Sequence, residues 1–238
     1  MESAERSALR AAVYRGDVRT VLGLLGAGPI PGEALQLVGD GLVAGLGQQV
    51  REAAGRAGDC VALLRVRGWP GDGVLAEQLQ ALLGSGPVPL LRPLPVDLDE
   101  LAGVLEGDPL QGDGRVDLAS GQVWPWPAIE YAREVGEEDE DASDDPDRWL
   151  WVRCEGSRDG YRDMKDFIDT IGDAARADRL GIAIEGRGAF GRFKDVLSRW
   201  PEERDRWHAF SEERQRGRAR AWLADAGYSL PPRPWPGP

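Results

Sequence analysis

Apolar residues over the first 86 positions recur at helical spacing. Leu9, Ala12 and Val13 fall at i, i+3 and i+4, and Val18, Val21, Leu22 and Leu25 repeat the pattern. Glycines between these stretches mark short helices joined by tight turns. The pattern breaks at Gly86–Pro95, "GPVPLLRPLP", where four prolines in ten residues block helix and predict an extended linker. "VDLDELAGVLEG" then restores helical spacing, with Leu98, Leu101, Val104 and Leu105 on one face and Asp97 or Asp99 as the cap. In "RVDLASGQVWPW" the period changes to two. Val116 and Leu118 alternate with polar residues, Ser120-Gly121 turns the chain, and Val123 and Trp124 return, as in a hairpin. "DRWLWVRCEG" is aromatic and β-branched, and predicts a further strand. From Tyr161 the helical period returns. Tyr161, Met164, Phe167, Ile168 and Ile171 share a face. Leu180, Ala183 and Ile184 form a second helix, and Phe190, Phe193, Val196 and Leu197 a third. Pro201 suits the first turn of a fourth helix running to about Ala226, with Glu202 and Glu203 beside its positive end.

These elements predict a two-part α+β protein. Residues 1–86 form a helical unit, 87–95 a Pro-rich linker, and 96–228 a small antiparallel sheet packed on several helices; 229–238 are a Pro-rich tail. The helical unit carries internal similarity. "AAVYRGD" at Ala11–Asp17 recurs as "AAGRAGD" at Ala53–Asp59, and "LLGAGPIP" at Leu24–Pro31 recurs as "LLGSGPVP" at Leu82–Pro89. The first stretch resembles an ankyrin repeat: two alanines, a glycine, a second helix ending Leu-Leu and a closing glycine. The copies stand 42 and 58 residues apart rather than near the ~33 of that repeat, and its Thr-Pro-Leu-His opening is absent. An unrelated small helical bundle is the competing reading.

Charge narrows the function classes. The net charge of the 238-residue chain is −12, which repels phosphate backbones and anionic membranes at long range. Binding to either needs a segregated basic face. Glu134–Asp147 holds nine acids in fourteen residues and is expected to be a solvated loop rather than packed structure. It lacks the Asp-x-Asp-x-Asp-Gly spacing of a calcium loop. Cys60 and Cys154 make neither a disulfide framework nor a four-ligand zinc site. The acidic first residues do not read as a signal peptide, and no stretch approaches the roughly 18 apolar residues of a membrane helix. A cytoplasmic protein without membrane association follows as the expectation. Of the 29 Lys+Arg only Lys165 and Lys194 are lysines, and with many Gly, Ala and Pro this suggests a GC-rich bacterial gene.

One stretch invites an enzymatic reading. Gly186-Arg187-Gly188-Ala189-Phe190-Gly191 is a literal G-x-G-x-x-G. A dinucleotide loop works because it links a strand to a helix inside a βαβ unit, so that the helix N-terminus holds the pyrophosphate. Here both flanks read as helix. Gly186 and Gly188 are expected to cap one helix and turn into the next. No cofactor is expected. His208, the single histidine, has no serine or cysteine partner at any informative spacing.

The same residues carry a family resemblance. "EGRGAFGRFKDVL" followed by "WHAFSEERQRGRARAWLADAGY" resembles the C-terminal signature of the bacterial uncharacterised protein family 0158, with Trp207, Phe210, Glu213, Arg214, Trp222 and Leu223 matching. "VDLDEL", "RVDLASGQV" and "DMKDFIDTI" fit as well, so the resemblance covers about residues 96–228. Gly191 stands where the family usually has Arg, which makes the third glycine a local substitution. The resemblance implies an α+β unit and no assigned chemistry.

Three functional readings follow. The first is a non-enzymatic protein-interaction or regulatory protein, whose partner is another protein. The candidate binding residues are Arg187, Arg192, Lys194, Trp207, Arg214 and Arg218. The second is a nucleic-acid-binding regulator. "ERQRGRARAW" puts Arg214 and Arg218 on one side of a helix and Arg216 and Arg220 on another, with Trp207 and Trp222 nearby. Against it, residues 148–225 hold 17 basic and 15 acidic residues, so the arginines can find carboxylates within i±4. The third is an enzyme with a non-standard site around Glu185, Arg187, Lys194 and His208.

Overall fold

The structure, a computed structural model, describes residues 1, 3–136 and 145–232. Most of the acidic stretch 134–147 and the tail beyond 232 therefore lie outside the described residues.

The N-terminal part is built from α1 (Ser3–Tyr14), α2 (Val18–Leu25), α3 (Leu35–Gly47), α4 (Arg51–Arg67) and α5 (Asp72–Leu82). Asp17 caps α2 by accepting from the Thr20 N–H at 3.1 Å. α3 is the axis, packed against α1, α2, α4 and α5. Its glycines permit this. A Cβ on Gly41 would stand 2.8 Å from Val21, and one on Gly45 would stand 2.8 Å from Ala53. Leu9, Val21, Leu35, Leu42, Leu64, Leu75 and Leu79 close the core around it. The repeated motifs do not all take the same structure. Leu24-Leu25 and Leu82-Leu83 both end helices and precede a positive-φ glycine. Ala11–Asp17, however, spans the end of α1 and its turn, whereas Ala53–Asp59 lies wholly inside α4.

Within the proline-rich segment Arg92–Pro93 form β1, which pairs in parallel with β5 (Tyr228–Ser229). α6 (Leu98–Leu105) is capped by Asp97, which accepts from the Asp99 and Glu100 N–H groups. β2 (Gly114–Asp117), β3 (Val123–Pro125) and β4 (Trp149–Val152) form an antiparallel sheet in the order β3-β2-β4, with Val116 opposite Val123 and Leu150. The hairpin turn is held by the Asp117 carboxylate, which accepts from the Ala119 and Ser120 N–H groups. α7 (Trp126–Glu134) follows directly, with Pro127 in its first turn. Leu98, Leu101, Val116, Val152 and Leu223 share one core.

α8 (Arg158–Asp169), α9 (Ala174–Ala183) and α10 (Ala189–Leu197) build a third apolar cluster. There Phe167, Phe193 and Trp207 meet edge to face. Gly186 and Gly188 both have positive φ and form the turn between α9 and α10. No strand adjoins them.

α11 (Pro201–Asp225) joins all three regions. At 25 residues it is about 38 Å long, and it touches α3, α5, α6, α8, α10 and β5.

Candidate cleft and the arginine helix that shapes it

An open cleft of about 1260 Å³ lies between α1 and the first half of α11. Ala4, Ser7 and Ala11 present small side chains along the α1 wall. Asp205, His208 and Glu212 stand along the α11 wall, while Phe167 and Phe210 contribute aromatic surface. Tyr14 projects at one end, 68% exposed. Arg6 ties the two walls. Its Nε donates to Glu212 at 2.8 Å and its Nη2 to the Ala209 carbonyl at 3.2 Å. Arg10 also pairs with Glu212. Burial pulls the Arg6 guanidinium below the usual arginine value, with Glu213 opposing that shift.

Beside the cleft α11 carries charge into the interior. The Glu213 carboxylate is fully enclosed. It accepts from the Gln36 and Leu37 N–H groups at 2.8 and 3.2 Å, so it closes the positive end of α3. Arg67 donates to it at 3.0 Å and also grips Asp72 through two bonds. Asp72 in turn accepts from the Trp69 N–H and the Gln36 amide. Burial disfavours the Arg67 charge, but Asp72 and Glu213 more than compensate and its pKa rises.

One turn further along, Arg216 and Arg220 converge on Asp40, with Arg216 donating to it twice, at 3.0 and 2.9 Å. Burial would raise the Asp40 carboxyl, yet the two guanidinium groups win and hold it below its ordinary value. The same pairing lifts Arg216 against the cost of its burial. Arg218 donates bidentately to Glu106 at 2.6 and 2.9 Å and bonds Asp163 as well, which raises it despite burial. Arg214 reaches Asp163 and Asp166 at 2.8 and 2.7 Å. Burial, reinforced by the Glu213 charge, pushes the Cys60 thiol up to about 12.

The pairing expected within i±4 is therefore corrected in one respect. Arg214, Arg216, Arg218 and Arg220 are matched, but by carboxylates from distant parts of the chain, while Arg204 and Arg206 pair within the helix, with Asp205 and Glu203. The reason is that the second half of α11 is surrounded by other elements, so its side chains point into neighbours rather than along its own surface. The two sides of the helix take different partners. Arg214 and Arg218 face α6 and α8, and Arg216 and Arg220 face α3 and α6. Of the other candidate residues, Trp207 is buried in the aromatic cluster. Arg192 is bonded to the Ala183, Glu185 and Arg187 carbonyls and stitches the glycine turn. Arg187 and Lys194 are exposed. The structure thus does not gather the six into one surface. His208 lines the cleft and Glu185 a different depression. Small residues at i, i+3 and i+7 of α1 were the only trace of the cleft in the sequence, and nothing marked their partner wall.

Residues 91–231 match the model of an uncharacterised protein family, UPF0158. The chain belongs to that family. No curated protein and no solved structure matches it. The UPF0158 segment starts one residue before β1 and ends two after β5, so its first and last strands pair with each other. It also contains α11 entire, so one wall of the cleft and the arginines of α11 belong to the UPF0158 segment, while α1, Arg67 and Asp40 lie outside it. Among the described residues no group of three His, Cys, Asp or Glu is placed to hold a metal ion, and no helix is long and apolar enough to cross a membrane.

Proposed function

We propose that this protein is a non-enzymatic interaction or regulatory protein whose α1–α11 cleft receives a helical segment of a partner protein. The size and shape of the cleft carry the reading. At about 1260 Å³ it exceeds the ~300–1,000 Å³ typical of small-molecule sites. A three-turn helix, about 10 Å across and 16 Å long, occupies roughly 1,300 Å³. The small side chains of Ala4, Ser7 and Ala11 let such a helix approach the α1 backbone. The charges on the walls are largely matched to one another, Arg6 and Arg10 with Glu212, which favours an amphipathic protein segment over a polyanion.

Of the six candidate residues, Arg187 and Lys194 are the exposed ones not held in place, so a nucleic-acid role draws on them, because Arg214 and Arg218 are engaged by Asp163, Asp166 and Glu106. It predicts binding that weakens steeply with salt and improves when 134–147 is deleted.

The test is photo-crosslinking in the native host. A crosslinking residue replaces His208 in the cleft or, as a control, Val66, which is 87% exposed elsewhere. A discrete protein adduct is expected from position 208 alone, and it disappears when Ser7→Trp fills the cleft. An adduct indifferent to Ser7→Trp, or none at all, overturns the reading.

A further inference from the structure

A second concavity lies between α8 and α9. It is a shallow, open depression of about 590 Å³. Ile168, Ile171, Ala177, Gly181 and Ile182 supply its apolar surface. A single exposed isoleucine is ordinary on a protein surface. Ile182 differs because it is 68% exposed and continuous with Ile168 and Ile171, which close the edge of the aromatic cluster. Three carboxylates stand around this surface, Asp169, Asp178 and Glu185, and no basic residue lines it.

The treatment of charge here is the reverse of that around α11. There every buried carboxylate meets a guanidinium: Asp40, Asp72, Glu106, Asp163 and Glu213 each have one within 3.1 Å. None of Asp169, Asp178 and Glu185 has an ion pair among the described residues, although arginine is the commonest charged partner this chain has to offer. An apolar floor with an unneutralised acidic rim repels acidic segments and anionic lipid surfaces, and attracts a segment of opposite charge.

We infer that the α8–α9 depression docks a cationic amphipathic helix of a partner protein. Its apolar side chains at i, i+3 or i+4 and i+7 meet Ile168, Ile171 and Ile182, and its Lys or Arg side chains meet Asp169, Asp178 and Glu185. The inference is independent of the α1–α11 cleft, since it uses a different surface and a different partner chemistry.

The probe is a synthetic amphipathic helix of Leu and Lys, titrated into the isotope-labelled full-length protein and followed by NMR chemical shifts. A Leu/Glu peptide of the same pattern is the control. Shifts are expected between residues 168 and 185, weakening with salt, with no response to the Leu/Glu peptide. A Cβ on Gly181 meets nothing within 4 Å, so Gly181→Trp fills the depression without disturbing its own chain. It is expected to weaken binding at least about tenfold. Asp178→Asn with Glu185→Gln, a change confined to the surface, is expected to weaken it about fivefold and to flatten the salt dependence. Shifts centred on 134–147 or spread over all acidic surfaces would reduce the effect to bulk charge attraction and overturn the proposal. So would Gly181→Trp protein that binds the Lys peptide unchanged.

Discussion

Glu213 is the residue on which two halves of the chain depend. Its carboxylate is shut off from solvent and satisfied by two backbone N–H groups of α3 and by Arg67. Removing one partner of such a set leaves the others buried without compensation, which costs far more than the pair's net worth. Glu213→Ala is expected to lower stability by about 3–5 kcal/mol, read as a fall in the urea midpoint; a loss within experimental error would mean that α3 is not held this way. Asp40 adds a pH dependence. Burial raises its carboxyl and Arg220 and Arg216 lower it further, so the folded value lies below the unfolded one, about 3.9. Its stabilisation is complete above that value and is lost as the pH falls through the depressed folded value. The urea midpoint should therefore drop from about pH 4 downward, and Asp40→Asn, though less stable, should show a shallower drop over the same range.

At the scale of the element, α11 is the unusual feature. It carries charge on every face, which for an isolated helix signals either solvent on all sides or no stable helix. It is neither, because each face meets a different neighbour. The contact with α5 is the tightest. A Cβ on Gly217 would collide with the Pro70 carbonyl oxygen, and one on Gly71 with the Gly217 carbonyl. Gly217→Ala should therefore cost about 1–3 kcal/mol through forced separation. Gly191→Ala in α10, where a Cβ meets nothing within 4 Å, should gain up to about 1 kcal/mol from helix propensity alone. Thermal melts of the two variants should move in opposite directions; a shared direction would contradict the packing of α11 on the α5 turn. α11 was legible as a helix from Pro201, its acidic first turn and its apolar positions. Its partners were not. A polar residue in a sequence looks the same whether it faces water or Asp40. α7 goes unread: the hairpin reading runs to Trp126 and assigns no element to the residues after it, where burial of Ile129 and Ala132 marks one face of a helix.

For the whole molecule the arginine array joins the helical unit to the UPF0158 segment. Arg6, Arg67, Arg216, Arg220 and Glu213 connect residues 1–86 to α11, and β1 clips to β5 across the chain. Buried pairs are screened little by salt. One calorimetric unfolding transition is expected for the full chain, at low and at moderate salt alike. Two separate transitions would mean that the helical unit and the UPF0158 segment unfold independently and that the array contributes little to joining them.

The sequence by itself determined the local order. Helical spacing, a cap at Asp97 or Asp99, the hairpin at Ser120-Gly121 and the glycine turn at 186–188 all rest on residues within a turn or two of one another, where backbone chemistry acts directly; membership of UPF0158 was legible as a set of such short stretches between about 96 and 228. Tertiary structure alone decided what Arg214, Arg216, Arg218 and Arg220 do. Their carboxylates arrive from positions far away in the chain, and distance along the sequence carries no information about distance through space. It also made both concavities, since each is the gap left between helices whose packing is set by their buried faces. Residues lining those gaps, such as Ala4, Ser7 and Ala11 or Ile168 and Ile171, share the spacing of ordinary helix faces, so nothing in the sequence separates a wall from a core face.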